Sequence, residues 1–402
     1  MTTSATTDRH PWVVFLIFLR LGLTSFGGPV AHLGFFRDEF VTRRGWLSER
    51  SYAELVALCQ FLPGASSSQT GMALGLVRAG YKGALAAWAG FTLPSAVVLI
   101  LFALGMNRYG YVVPPGVLHG FKVVAVAVVA RAVWGMGRHL CPDIPRLLIM
   151  LIVAAFVLLI PSSWAQAAAI ALAALAGLLC HRPEPTLAEA ASPQVIRRRA
   201  GVVFLAVFFL LLVGLPIASA IYPAQWLAMV DAFYRTGSLV FGGGHVVLPL
   251  LQAEVVPKGW VDNESFLAGY GLTQAVPGPL FTFSAFLGAS AQGSVSGWAG
   301  GMVCLLAIFA PSFLLIAGVW PFWQRLRGNG FIRSALWGIN AAVVGLLLAA
   351  LYQPVWTSAI GGWPDIALAG LALLALGPGK LPPWLVVAGS GLAGWGLALL
   401  PG

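Results

Sequence analysis

The chain has 402 residues, of which 59% are hydrophobic and only 9% charged, whereas a soluble domain carries about 25% charged residues. That balance excludes a soluble globular protein and leaves an integral membrane protein. Twenty-three Lys and Arg against 13 Asp and Glu give a net charge of +10, which suits both topology signals in cytoplasmic loops and attraction of anions.

The apolar stretches run to about 20 residues, the length of a membrane-crossing helix, so a helical bundle is expected rather than a barrel. A short polar tail precedes the apolar run from Trp12. Arg20 interrupts that run and no small-residue cleavage site follows, so it reads as a first span and not a signal peptide. Spans are expected at 11–28, 51–77, 83–105, 112–135, 146–160, 163–180, 201–222, 226–243, 264–292, 297–320, 334–353, 363–378 and 382–400. The segment 181–200, with three prolines, two glutamates and Arg197-Arg198-Arg199, reads as a linker. The scattered Cys59, Cys141, Cys180 and Cys304 suggest no metal cage, redox pair or disulfide framework.

One stretch occurs twice. The first copy holds Phe18-Leu-Arg20-Leu-Gly22, Phe26-Gly27-Gly28-Pro29, Gly45-Trp46 and Gln60-Phe-Leu-Pro63-Gly64. The second holds Phe233-Tyr-Arg235-Thr-Gly237, Phe241-Gly242-Gly243-Gly244, Gly259-Trp260 and Gln274-Ala-Val-Pro277-Gly278-Pro279. Arg20 maps to Arg235 and Glu39 to Glu254 at an offset of 215, and Gln60 to Gln274 at 214. Pro94-Ser95 recurs as Pro311-Ser312, and Gly120-Phe-Lys122 is answered by Gly338-Ile-Asn340. This is an internal duplication: residues 1–180 and 223–402 form the repeats, and 181–222 holds the linker and an unpaired span. Corresponding spans lie an odd number of crossings apart, so the expected fold is an all-α polytopic membrane protein of about 13 helices in two inverted-topology repeats with broken helices. Loop cations favour a cytoplasmic N-terminus. The loop after the first span fits poorly, because it places Arg37, Arg43, Arg44 and Arg50 outside.

Arg20 and Arg235 fall near the middle of their spans, where a cation costs about 2.5–3.5 kcal/mol. They read as a facing pair that binds an anion, or as ion pairs with Glu54 or Asp231, or as snorkelling side chains. Pro63-Gly64 and Pro277-Gly278 should break their spans at mid-depth. A helix restarting there presents unpaired N–H groups and a partial positive charge to an anion. Ser68, Thr70, Thr282 and Ser284 would add hydroxyls, Gln60 and Gln274 would orient oxygens or close the break, and Lys122 would add charge from one side. The alternative is a packing kink with back-bonded hydroxyls. Gly27, Gly28, Gly242 and Gly243 read as close-packing or hinge positions. Glu39, Glu254, His32 and His245 are the candidates for proton exchange.

The paired Phe-x-Arg-x-Gly…Phe-Gly-Gly and Gln-x-x-Pro-Gly motifs resemble the chromate ion transporter (CHR) family in its two-domain form. The resemblance covers both repeats and departs where Pro63-Gly64-Ala65 stands against Pro277-Gly278-Pro279. It implies an inner-membrane secondary transporter, driven by the proton-motive force, that exports chromate and confers chromate resistance, with sulfate as a related oxyanion. Expected partners are therefore a chromate- or sulfate-like oxyanion, protons and the lipid bilayer, with a homodimer as a possible assembly and no nucleic acid. Rival readings are uptake of sulfate or another tetrahedral oxyanion, and a passive anion channel. No catalytic or nucleotide motif and no cofactor is indicated, so an enzyme such as a chromate reductase is not expected.

Overall fold

A computed structural model describes residues 10–26, 28–109, 114–160, 162–181, 196–241 and 244–399; Gly27, Gly242 and Gly243 lie outside the described residues. The described elements are helical. Helix α1 (Pro11–Thr24) opens with Pro11 behind the His10 cap and has 14 residues, about 21 Å of rise against a hydrocarbon core of about 30 Å. The chain then turns back. Helix α2 (Gly28–Arg37) continues through a π-helical turn (Asp38–Arg43) and runs beside α1, with Phe18 packed on Phe36 and Phe40 at 5.5 and 5.0 Å between centroids.

Helix α3 (Glu49–Phe61), capped by Ser48, leads inward to the Pro63-Gly64 break. There Gly64 adopts φ +121°, a left-handed region open to glycine, and the chain reverses. Helix α4 (Ser66–Tyr109) kinks at Ala79-Gly80. Its first limb, 66–78, returns to where α3 began, so that the Arg78 guanidinium lies 5.1 Å from the Trp46 ring centre. Its second limb, 81–109, folds back along the first, with Gly75 and Gly83 in close backbone contact, and forms a long apolar helix.

Helices α5 (Pro115–Leu140), α6 (Ile144–Leu159), α7 (Ser163–Cys180) and the extra α8 (Arg198–Ile221) follow. Asp143 caps α6 and pairs with Arg146, which holds its carboxyl below the usual carboxylate range. The second copy then repeats the first. Helix α9 (Gln225–Leu239) is followed by α10 (Val247–Val255), and α11 (Asn263–Thr273) by α12 (Phe283–Ser290), which starts from a 3-10 turn at Leu280–Thr282. Phe283 packs on Phe266 and Tyr270 at 5.1 and 5.7 Å, and the Gln292 amide donates to the Trp260 carbonyl at 2.8 Å. Trp46 and Trp260, like Arg78 and Gln292, are 214 apart, so both hairpins close on equivalent residues. Helices α13 (Gly297–Val319), α14 (Gly330–Ala350), α15 (Trp363–Leu376) and α16 (Pro383–Leu399) complete the chain.

This corrects the expected spans. Those at 11–28, 51–77, 226–243 and 264–292 are not crossings. Each is half or all of a re-entrant hairpin; at Gly28, Gly64 and Gly278 the break is built on a left-handed glycine, which lets the chain reverse instead of bending. The inversion survives, since the hairpins drop out of the count in pairs.

Packing crosses the boundary between the repeats. The hairpins gather around α4 and α13, except α11, which packs on α5 with Gly271 against the Phe121 carbonyl; α5 also packs on α15 and α16 from the other repeat, and α14 on α6 and α7. Glycines permit the second exchange: a Cβ on Gly120 would overlap the Ser390 carbonyl, and one on Gly338 the Ala173 carbonyl. The result is a hairpin group and an outer group, each built equally from both repeats.

The hairpins can be tested directly. With the native cysteines replaced, Arg50→Cys and Lys82→Cys should label with a membrane-impermeant maleimide from one face, and Lys258→Cys from the other. If 51–77 crossed the membrane, positions 50 and 82 would label from opposite faces.

Candidate functional site

The four hairpin tips meet. The Gly64 amide donates to the Val240 carbonyl at 2.7 Å, and the Gly278 amide donates to the Ser25 carbonyl at 3.1 Å. Ser25 and Val240 are themselves equivalent, 215 apart. Each Pro-Gly break is thus closed by the end of the other repeat's first helix. The fit is close: a Cβ on Gly64 would overlap the Ser312 hydroxyl, and one on Gly278 would come 2.7 Å from that of Ser95. Ser312 also accepts the Ala65 amide at 3.2 Å. Gly244, Pro29 and Leu280 close the remaining corner.

Four helix N-termini therefore converge here, those of α2, α4, α10 and α12, each with backbone N–H groups and a partial positive charge. Around them lie buried polar atoms without a partner in the protein: the hydroxyls of Ser25, Ser68 and Thr92, the amide nitrogen of Gln274 and the amide oxygen of Gln69. A buried group left unpaired costs about 1–3 kcal/mol, and four unpaired donors beside four helix starts are an arrangement that could hold an acceptor-rich ligand.

The sequence profile of the chromate transporter family matches residues 12–178 and 227–395. The chain belongs to the chromate transporter family. A chromate transport protein of Pseudomonas aeruginosa is 28% identical over 98% of this chain and 95% of its own. One of Cupriavidus metallidurans is 27% identical over 94% and 91%. An uncharacterised transporter of Bacillus subtilis is 30% identical over 38% of this chain and 79% of its own. No solved structure matches. The family is one of membrane transporters, not enzymes.

Within this transporter the two arginines stand in different surroundings. Arg20 is exposed on α1. Arg235 is largely buried and holds Asp231 at 2.9 Å and Glu254 at 2.8 Å. They do not form the facing pair expected from sequence. Part of the cause is visible: α8, which has no counterpart, covers the flank of α9, where Tyr234 donates to the Phe208 carbonyl at 3.0 Å. Glu254 also accepts from Lys258 at 2.8 Å, and Glu39 is held by Arg43 and Arg44 at 2.9 and 2.7 Å. Lys122 is paired with Glu264 at 3.1 Å, so it offers no free charge.

The remaining candidates divide. Gln60 is exposed on α3; the residue that closes the first break is Gln69, whose amide donates to the Pro63 carbonyl at 2.8 Å. Thr70, Thr282 and Ser284 spend their hydroxyl hydrogens on carbonyls of their own turns, as the kink reading anticipated, while Ser68 does not. His32 lies between the Ser25 carbonyl (3.2 Å) and the Ser67 hydroxyl (3.4 Å). Because a carbonyl only accepts, Nε2 carries the proton and Nδ1 accepts from Ser67. His245 contacts the Tyr270 hydroxyl at 2.9 Å. Gly28 adopts φ +77° with open space around it. Sequence reasoning missed Ser25, Gln69 and Thr92. The recurrence of Pro94-Ser95 as Pro311-Ser312 was the one signal pointing to the tips' neighbours.

Gly64→Ala and Gly278→Ala place a Cβ at positive φ against a packed hydroxyl, at a cost of about 1–3 kcal/mol. Each should cut transport at least tenfold while the protein still inserts. Gly135→Ala, in open space on α5, should leave transport and membrane yield unchanged.

Proposed function

We propose that this protein is a secondary transporter that exports chromate across the cytoplasmic membrane and so confers chromate resistance. The relatives named for chromate transport support the cargo. The observation that carries the reading is the meeting of four helix N-termini with unpaired hydroxyl and amide donors at the hairpin tips. A tetrahedral dianion presents four oxygens that accept hydrogen bonds from any direction. Ser25, Ser68, Thr92, Gln274 and the backbone after Gly64 and Gly278 would hold it without a fixed cation in contact, which favours release as well as binding.

The N-terminus and the linker face the cytoplasm in this reading. With the hairpins turned back, Arg37, Arg43, Arg44 and Arg50 join Arg78, Lys82 and the linker arginines on one face, leaving Arg108 and Lys258 among the loop cations of the other. That is a strong positive-inside bias. On the linker face a cavity of about 220 Å³ opens at the mouth of the first hairpin pair, lined by Trp46, Leu47, Leu74, Val77 and Arg78. The equivalent mouth on the far face is closed by a direct backbone hydrogen bond, Gln292 to Trp260 at 2.8 Å, where the first is spanned by the looser contact of Arg78 with the Trp46 ring at 5.1 Å. Access would thus be from the cytoplasm, and the hairpin group would shift against the outer group to open the far side. A membrane potential negative inside favours exit of a dianion by about 4–5 kcal/mol per 100 mV.

Inside-out vesicles should accumulate labelled chromate saturably, right-side-out vesicles should not, and sulfate should compete. Ser25→Ala and Ser68→Ala should each raise KM about fivefold, the equivalent of one hydrogen bond of about 1 kcal/mol. Unsaturable flux at channel rates, or no orientation dependence, would overturn the reading.

A further inference from the structure

The structure assigns a second role to the charged cluster on α9: we infer that Asp231 is the group that binds and releases a proton as the anion is moved. The inference rests on the transport reading above. Asp231 is 6% exposed. Its Oδ2 accepts from Arg235 at 2.9 Å, but its Oδ1 is buried with no partner. Glu254, beside it, has one oxygen on Arg235 and the other on Lys258. Asp231 therefore has the vacant oxygen of the cluster, and an O–H bond can form there without displacing an existing contact.

The elements packed on α9 add few competitors. From α10 comes Glu254, with Lys258 just beyond it. Residues 200–221 of α8 contain no Asp, Glu, His, Lys or Arg, and residues 297–319 of α13 contain Cys304 as their one titratable side chain. Two carboxylates thus balance two cations. A proton on Oδ1 makes Asp231 neutral, with Oδ2 still accepting from Arg235, and gives the cluster one excess positive charge; loss of that proton restores balance. Asp231 lies two turns before the end of α9, about 12 Å along the axis from the tip, close enough for its charge state to bias an anion there.

The first repeat lacks this device. The position equivalent to Asp231 is Leu16, and Glu39 is already held by two arginines. Coupling is thereby confined to the second repeat.

The test uses purified full-length protein in liposomes, with labelled chromate and the membrane potential clamped at zero. Wild type should show chromate–chromate exchange, and net flux that changes at least fivefold under a pH gradient of two units. Asp231→Asn, which keeps the shape and the acceptor for Arg235, should retain exchange within twofold and lose the response to the gradient; Asp231→Glu should restore it. A gradient response in Asp231→Asn equal to wild type would overturn the assignment. So would loss of exchange together with the response in a monodisperse Asp231→Asn protein, or a wild type indifferent to the gradient. Absence of exchange in wild type would instead overturn the transport reading.

Discussion

Two backbone hydrogen bonds set the architecture: Gly64 to the Val240 carbonyl, and Gly278 to the Ser25 carbonyl. A hairpin that reverses inside a membrane exposes peptide groups where no lipid can bond them, at several kcal/mol each. Here each repeat supplies the acceptor that the other lacks. The repeats therefore approach from opposite faces, and the left-handed glycines at both breaks follow from the same requirement.

The same arrangement puts unpaired donors where the backbone is least regular. Helices that start in the membrane interior present N–H groups, and the hydroxyls of Ser25, Ser68 and Thr92 beside them have no partner in the protein. The outer group, closed by glycine contacts between α5 and α16 and between α7 and α14, offers a frame against which the hairpins can shift. Because each group draws on both repeats, motion of one against the other need not separate the halves of the sequence.

The duplicated charges have diverged. Glu39 and Glu254 keep a basic partner four residues on, yet the second partner is Arg44 in one copy and Arg235 in the other. In the first copy Arg44 holds the second oxygen of Glu39, and Arg20 stands exposed. In the second copy Arg235 remains committed to two carboxylates. An inverted repeat thus combines near-symmetry at the tips with asymmetry in the charge that flanks them.

By itself the sequence determined that the protein is an all-helical membrane protein, that it is duplicated in inverted sense, and that Pro63-Gly64 and Pro277-Gly278 interrupt the chain. These are matters of composition, spacing and the local chemistry of proline and glycine. Only the tertiary structure decided that the breaks reverse the chain. Hydropathy records how apolar a segment is but not which face it returns to, and it took Arg78 on Trp46 and Gln292 on Trp260 to show the hairpins closing. It also decided which polar residues lack partners. Arg20 and Arg235 are alike in the motif but not in their neighbours, and Gln69 replaces Gln60 at the tip because its side chain, one turn into α4, reaches back to Pro63. Partnering is a property of what packs across from a residue, and neither hydropathy nor the local motif records it.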